Sequence, residues 1–190
     1  TMNIFYLHRE PDIAAQMHVD KHCVKMILET CQLLSTAHRI LDGEQVMGKT
    51  KLGRNVKRWV FHDERDDKIY QATHVNHPSA VWCRHSNSNY MWLHQLLVEL
   101  CREYTYRYGK VHKCEESGLV SALRFIPVNI PVGPFTEPTP AMPDQYKIPG
   151  NSVQSYRNYY NGEKQRMFSW KQRPVPEFIN KTTGEQYATI

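Results

Sequence analysis

The sequence predicts a mainly α, compact single-domain fold carrying a short extended segment at its N-terminus and a proline-rich strap across the helices. Three observations lead there. Residues 13–40 contain neither glycine nor proline and are dominated by helix formers. A second helical stretch follows Asn76-His77-Pro78 and reaches Tyr108, where Gly109 stops it. Between residues 127 and 149 stand seven prolines, which no regular helix accommodates.

In chain order, residues 2–7 (Met-Asn-Ile-Phe-Tyr-Leu) form an apolar run rich in β-formers, read as a buried strand or extended segment. Asp12 is placed to cap the first helix, which is expected to break near Val19-Asp20 and to end at Asp42-Gly43. Residues 43–68 are mostly charged, with glycines at 43, 48 and 53, and read as a surface excursion. Its Lys49, Lys51, Arg54, Lys57 and Arg58 lie beside Trp59, a group that either meets solvent or touches a polyanion. Ser79 or Ser86 caps the second long helix. The strap over 127–149 interleaves Ile126, Val128, Ile130, Val132, Phe135 and Met142 with its prolines, a pattern expected to pack on the body. A last helix is expected from Asn151-Ser152 to about Lys171, before Pro174 and Pro176.

With 190 residues in one domain, folding removes roughly 70% of the unfolded surface from water, so a single core suffices. The chain is 41% apolar and 23% charged, which excludes disordered, collagen-like and disulfide-scaffold classes. No stretch is long and apolar enough for a membrane span, and the N-terminus shows no signal-peptide pattern. Five cysteines without a Cys-x-x-Cys pair read as reduced, buried, cytoplasmic thiols. Lys and Arg exceed Asp and Glu by 24 to 19, a modest excess that points to DNA or another polyanion as partner.

Placed at about 100° per residue, the first long helix gathers His18, Lys21, His22, Lys25, Glu29, Gln32, Thr36 and Arg39 in one stripe. Val24, Ile27, Leu28, Cys31 and Leu34 fall opposite. A polar stripe on an otherwise apolar helix faces solvent, a cleft or an internal polar network. Lys25 and Glu29 are spaced to pair and to shift each other's proton affinity, the raw material of imine or acid/base chemistry, though also of a structural ion pair. Lys25 or Lys21 is the candidate amine, Glu29 the acid/base, and His22 their neighbour. His18 and His22, with His74 and His77, form an alternative zinc-ligand set, although the zincin motif is missing. Around the second helix start, His77, Trp82, Arg84, Asn89 and Tyr90 combine rings, amides and a cation suited to phosphate and base, with core packing as the plain alternative for each ring. Arg157, Tyr160 and Lys164 repeat that combination on the last helix.

The segments 20–29, 32–39, His77-Pro78-Ser79-Ala80-Val81-Trp82, Ala141-Met142-Pro143-Asp144 and Tyr156-Arg157-Asn158-Tyr159-Tyr160 resemble a family of small, uncharacterised phage and bacterial proteins over nearly the whole chain. More distantly, the layout is similar to phage-type pyrimidine-dimer DNA glycosylases. That resemblance implies an all-helical DNA-acting enzyme with no required cofactor, working through an N-terminal α-amine and a glutamate of the first helix. Where those enzymes have Arg-Glu-Leu, this chain has about His22-Cys23-Val24, so the resemblance implies Glu29 as the acid only in a different register. The reading is therefore a DNA-directed enzyme, glycosylase-like or base-modifying. The alternatives are a histidine-ligated metal hydrolase of a nucleotide or small phosphorylated substrate, and a non-catalytic binder of nucleic acid or a host protein.

Overall fold

The computed structural model describes residues 2–180. Two long antiparallel-connected helices form its centre: α2 (Asp20–Asp42) and α5 (Asn87–Tyr108) pack on one another, α1 (Pro11–Met17) lies on α5, and α4 (Pro78–Cys83) lies on α2. Met26, Ile27, Cys31 and Leu34 of α2 and Leu93, Leu97, Leu100 and Cys101 of α5 are all buried in one common core. Residues 2–7 thread through this core as a buried, extended segment with no strand partner among the described residues. Side chains satisfy part of its backbone instead: Asn3 Oδ1 accepts from Ile4 N–H, and Arg157 Nε donates to Leu7 C=O at 3.0 Å.

The first helix begins two residues earlier than Asp12 suggested, with Glu10 as N-cap and Pro11 in the first turn. Its break falls at His18-Val19, and a buried arginine explains it. Arg107 donates to the carbonyls of Gln16 and His18, which the interruption leaves free of helix partners, and to Asp20 and Glu103 carboxylates at 2.9 and 2.7 Å. Ser86 is the cap of α5, accepting from Asn89 N–H, and Gly109 ends that helix at φ 70°.

Within 43–68 the excursion is more ordered than its charge implied. It holds a two-stranded antiparallel hairpin, β1 (Glu44–Lys49) with β2 (Asn55–Val60), registered from Glu44↔Val60 to Lys49↔Asn55, then the short α3 (Arg65–Lys68). Gly53 takes φ 80° in the connecting turn. Between α5 and the strap come two single-turn helices, α6 (Lys113–Glu116) and α7 (Leu119–Ala122).

The last helix, α8 (Ser152–Glu163), is shorter than its pattern indicated, with Asn151 as N-cap. The chain leaves the helix there because Phe168 and Trp170 must turn inward: Trp170 is fully buried and donates to Met17 C=O at 2.9 Å. Packing of the strap also differs from expectation. Ile130 is buried, but Val128 and Val132 are exposed, and the strap is held mainly by hydrogen bonds. Asp42 accepts from the Val128 and Asn129 N–H groups, and the start of α5 binds residues 131–136. All five cysteines are free and buried, and among the described residues no helix is long and apolar enough to cross a membrane.

Candidate functional site

The polar stripe is split: Lys21 and Lys25 stay exposed while its other charged and imidazole members turn inward, His18 from the break before α2. His18, His22, Glu29, Thr36 and Arg39 are buried, whereas Val24 and Leu28 on the supposed apolar side are among the exposed residues. The two ends of the stripe are structural. Thr36 hydrogen-bonds the backbone of Thr73 in both directions, and Arg39 spends its guanidinium on the carbonyls of Trp59, Asp66, Ile69 and Tyr70 and on the Asp66 carboxylate at 2.7 Å. These contacts pin the segment after the hairpin to α2.

At the other end, His18 Nδ1 donates to Ala14 C=O at 2.6 Å, which leaves its buried Nε2 without a partner among the described residues. Val19 N–H donates to the Tyr160 hydroxyl, whose hydrogen is then directed to His22 Nδ1 at 2.8 Å. The His22 ring stacks on Phe5 with centroids 4.1 Å apart. Burial drives the proton affinity of both imidazoles down, to about 4 for His18 and about 2 for His22, so both are neutral at pH 7.

The middle of the stripe is where chemistry is available. Glu29 is 8% exposed, and its Oε2 has no hydrogen-bond partner among the described residues; Lys25 Nζ lies 3.7 Å away, an ion pair too long for a hydrogen bond. Burial raises the Glu29 carboxyl above its ordinary range against the opposing charge of Lys25. The Lys25 side chain is 59% exposed, so this pair stands at the edge of the core and not within it. Nearby, Lys164 is half-buried over the Tyr159 ring at 4.7 Å, with Phe5 beyond at 6.0 Å. Burial lowers its proton affinity, and repulsion from Arg166 and Lys25 adds to that. The result is a carboxyl whose proton affinity burial raises beside Lys25, with Lys164 set over the Tyr159 and Phe5 rings.

The structure therefore brings Lys25, Glu29, His22, Tyr160 and Lys164 together, and Lys21 stands exposed on the outer edge of α2. The remaining expected binding residues go elsewhere. Tyr90 is buried with its hydroxyl donating to Leu123 C=O, and Tyr160 is equally enclosed, so neither presents a face for stacking. Trp82 is buried and donates to Thr136 C=O. Asn89 brackets Thr136 from both sides, accepting from its N–H and donating to its hydroxyl, while Asn87, Ser86 and Ser88 hold 131–134. The amide and hydroxyl cluster at the start of α5 thus binds the strap, where the sequence suggested phosphate. Arg84 donates to Val75 C=O and borders a cleft of about 530 Å³ rimmed by the strap; Arg157 borders another of about 370 Å³ with His8, Arg9 and Glu137.

His77 Nδ1 accepts from Ser79 N–H as the cap of α4, and His74 pairs with the Thr73 hydroxyl. Among the described residues no three His, Cys, Asp or Glu side chains come together as a metal would require. Sequence reading missed Phe5 and Tyr159 as walls of the site, because each lies in a run that also reads as core. No family model, curated protein or solved structure matches this chain.

Proposed function

We propose that the protein is a DNA-directed enzyme acting on a base, with Glu29 as its general acid/base and Lys25 as the amine. The observation that carries this reading is Glu29 itself. A buried carboxyl whose Oε2 makes no hydrogen bond and is met only by Lys25 at 3.7 Å, with a raised proton affinity, is costly to maintain, by about 1–3 kcal/mol for the unmade hydrogen bond. Such strain accumulates where a group must exchange protons. Protonated, Glu29 donates to the departing base nitrogen; ionised, it accepts a proton from an attacking amine or water. Lys25, exposed at its side, first loses its ammonium proton to water. Its lone pair then attacks the sugar C1′ as the glycosidic bond breaks, the base leaves with the bonding electrons and the Glu29 proton, and Glu29, now ionised, takes up the surplus proton of the alkylated amine. Lys164 supplies positive charge toward a phosphate-bearing substrate, and the half-buried Tyr159 offers a ring to an extruded base.

The experiment is borohydride trapping on duplexes containing damaged or modified bases, or abasic sites. A covalent adduct with wild-type protein, lost in Lys25→Ala, is expected. Turnover in Glu29→Gln should fall by about 10²–10⁴-fold, the usual contribution of a positioned acid/base. A Glu29→Gln protein that retains full turnover overturns the assignment.

A further inference from the structure

We propose that the hairpin of residues 44–60 is a DNA-binding arm that lies against a double helix and holds it to the site on α2. Charge distribution carries this. Residues 44–60 contain five cations, Lys49, Lys51, Arg54, Lys57 and Arg58, against one acidic residue, Glu44 at the root. The hairpin thus carries +4 of the chain's formal +5, and everything outside it sums to only +1. A positive potential concentrated on one projecting ribbon is the electrostatic footprint of a polyanion contact.

The geometry suits a duplex. Two paired strands of six residues make a ribbon roughly 20 Å long and about 5 Å between strand axes, dimensions that a DNA major groove about 12 Å wide accepts. From the register, Met47, Lys49, Lys57 and Trp59 share one face, and Lys49 and Lys57 are exposed on it. Gly48 serves the opposite face: a Cβ there would meet the Arg58 side chain at 2.7 Å, so its absence lets Arg58 lie across the ribbon and donate to Lys49 C=O. At the turn, Lys51 and Arg54 flank Leu52, which is 84% exposed. A single aliphatic tip between cations fits an apolar wedge against a base step. A membrane-seated hairpin would carry its aromatic residue at the tip, whereas Trp59 sits at the root.

The arm also stands at a useful distance. Glu29 precedes the end of α2 by thirteen residues, which places the hairpin root roughly 20 Å along the helix axis from it, about six base steps. This inference rests on DNA as the substrate class, yet it uses none of the residues assigned to chemistry.

The test is duplex binding by fluorescence anisotropy between about 50 and 200 mM salt, comparing wild type with the combined Lys49→Gln, Lys51→Gln, Arg54→Gln, Lys57→Gln variant. Each lost phosphate contact should lower the slope of log affinity against log salt by about 0.9, and affinity near 100 mM salt should fall at least about tenfold. Lys51→Glu with Arg54→Glu, confined to the turn, provides a second variant should the first fold poorly, and the same direction of change is expected. Wild type that binds with a salt slope the variants leave unaltered overturns the arm and leaves DNA as substrate. Wild type that binds no duplex at low salt overturns both. Variants that lose binding to phosphatidylserine vesicles while keeping full duplex affinity show the arm to be a membrane contact and overturn the inference.

Discussion

Acid should unfold this protein steeply, because three histidines are held neutral inside it. His18 and His38 are driven down to about 4 and His22 to about 2, in each case first by burial. The hydrogen bonds say why protonation is refused. His38 Nε2 donates to Phe125 C=O while Nδ1 receives the Arg65 guanidinium at 3.2 Å, so a second proton would face a fixed cation. His22 Nδ1 already receives the Tyr160 hydroxyl, and a proton on His18 Nε2 would be buried with no acceptor. In the unfolded chain each titrates near its ordinary value of about 6.5. Between about pH 6 and 4.5 the unfolded state therefore binds up to three protons more than the native state, and stability falls as pH falls. Each proton contributes about 1.4 kcal/mol per pH unit, so three make a slope of about 4. Glu29 works in the opposite sense. Its raised folded-state affinity means that the native state takes up a proton first, returning at most one proton's worth over part of that window. The net slope should lie between about 2.7 and 4 kcal/mol per unit, a loss of about 5–8 kcal/mol between pH 6 and 4 that takes up the lower half of a typical stability of about 5–15 kcal/mol. Urea unfolding followed by circular dichroism at several pH values measures it. In His38→Gln, where the amide can keep both partners, the slope should drop by about 1.4. A wild-type slope below about 1.4 kcal/mol per unit between pH 6 and 5 refutes the reasoning, since the native state would then be accepting the protons.

Other expectations concern single contacts. Glu29→Gln, whatever it does to turnover, should leave stability at pH 7.5 unchanged or higher by up to about 1 kcal/mol, because it removes a buried charge whose Oε2 lacks a hydrogen bond; loss of more than about 1 kcal/mol in urea would mean that the carboxylate is structural. Arg107→Met should cost about 3–5 kcal/mol in the same assay, since it leaves Glu103 and Asp20 without their shared buried partner, and a loss under about 1 kcal/mol would contradict the account of the α1–α2 junction. Asn89→Ala removes the hydrogen bonds that bracket Thr136, so limited proteolysis should cut within 127–149 faster than in wild type; an unchanged cleavage rate would show that the strap is held by its other contacts alone.

The helical part of this fold was legible because its signals are local. The glycine at 109, the serine at 86 and the apolar spacing of α2 and α5 each act within a few residues, and the structure places those elements accordingly. The hairpin escaped notice although Val46 and Val56 with Trp59 and Val60 mark its strands. Strand pairing is settled by a partner outside the window being read, and here charged neighbours masked the alternation. Likewise α8 stops at Glu163 for a reason its own residues do not contain: Trp170 is needed beneath Met17.

For the site the division is sharper. Residue identities and helical spacing were sufficient to align His22, Lys25, Glu29, Thr36 and Arg39 on one face of α2, whereas His18 lies across the break. Only packing could sort them. Thr36 and Arg39 went to the segment after the hairpin, His22 went to Tyr160, and Glu29 was left beside Lys25 with an oxygen unpaired. Asn89 and Trp82 show the same limit, for an amide that would bind phosphate as readily binds the backbone of a strap fifty residues away. A polar side chain carries its hydrogen-bonding capacity in its chemistry, but which partner uses it depends on what the folded chain brings within 3 Å.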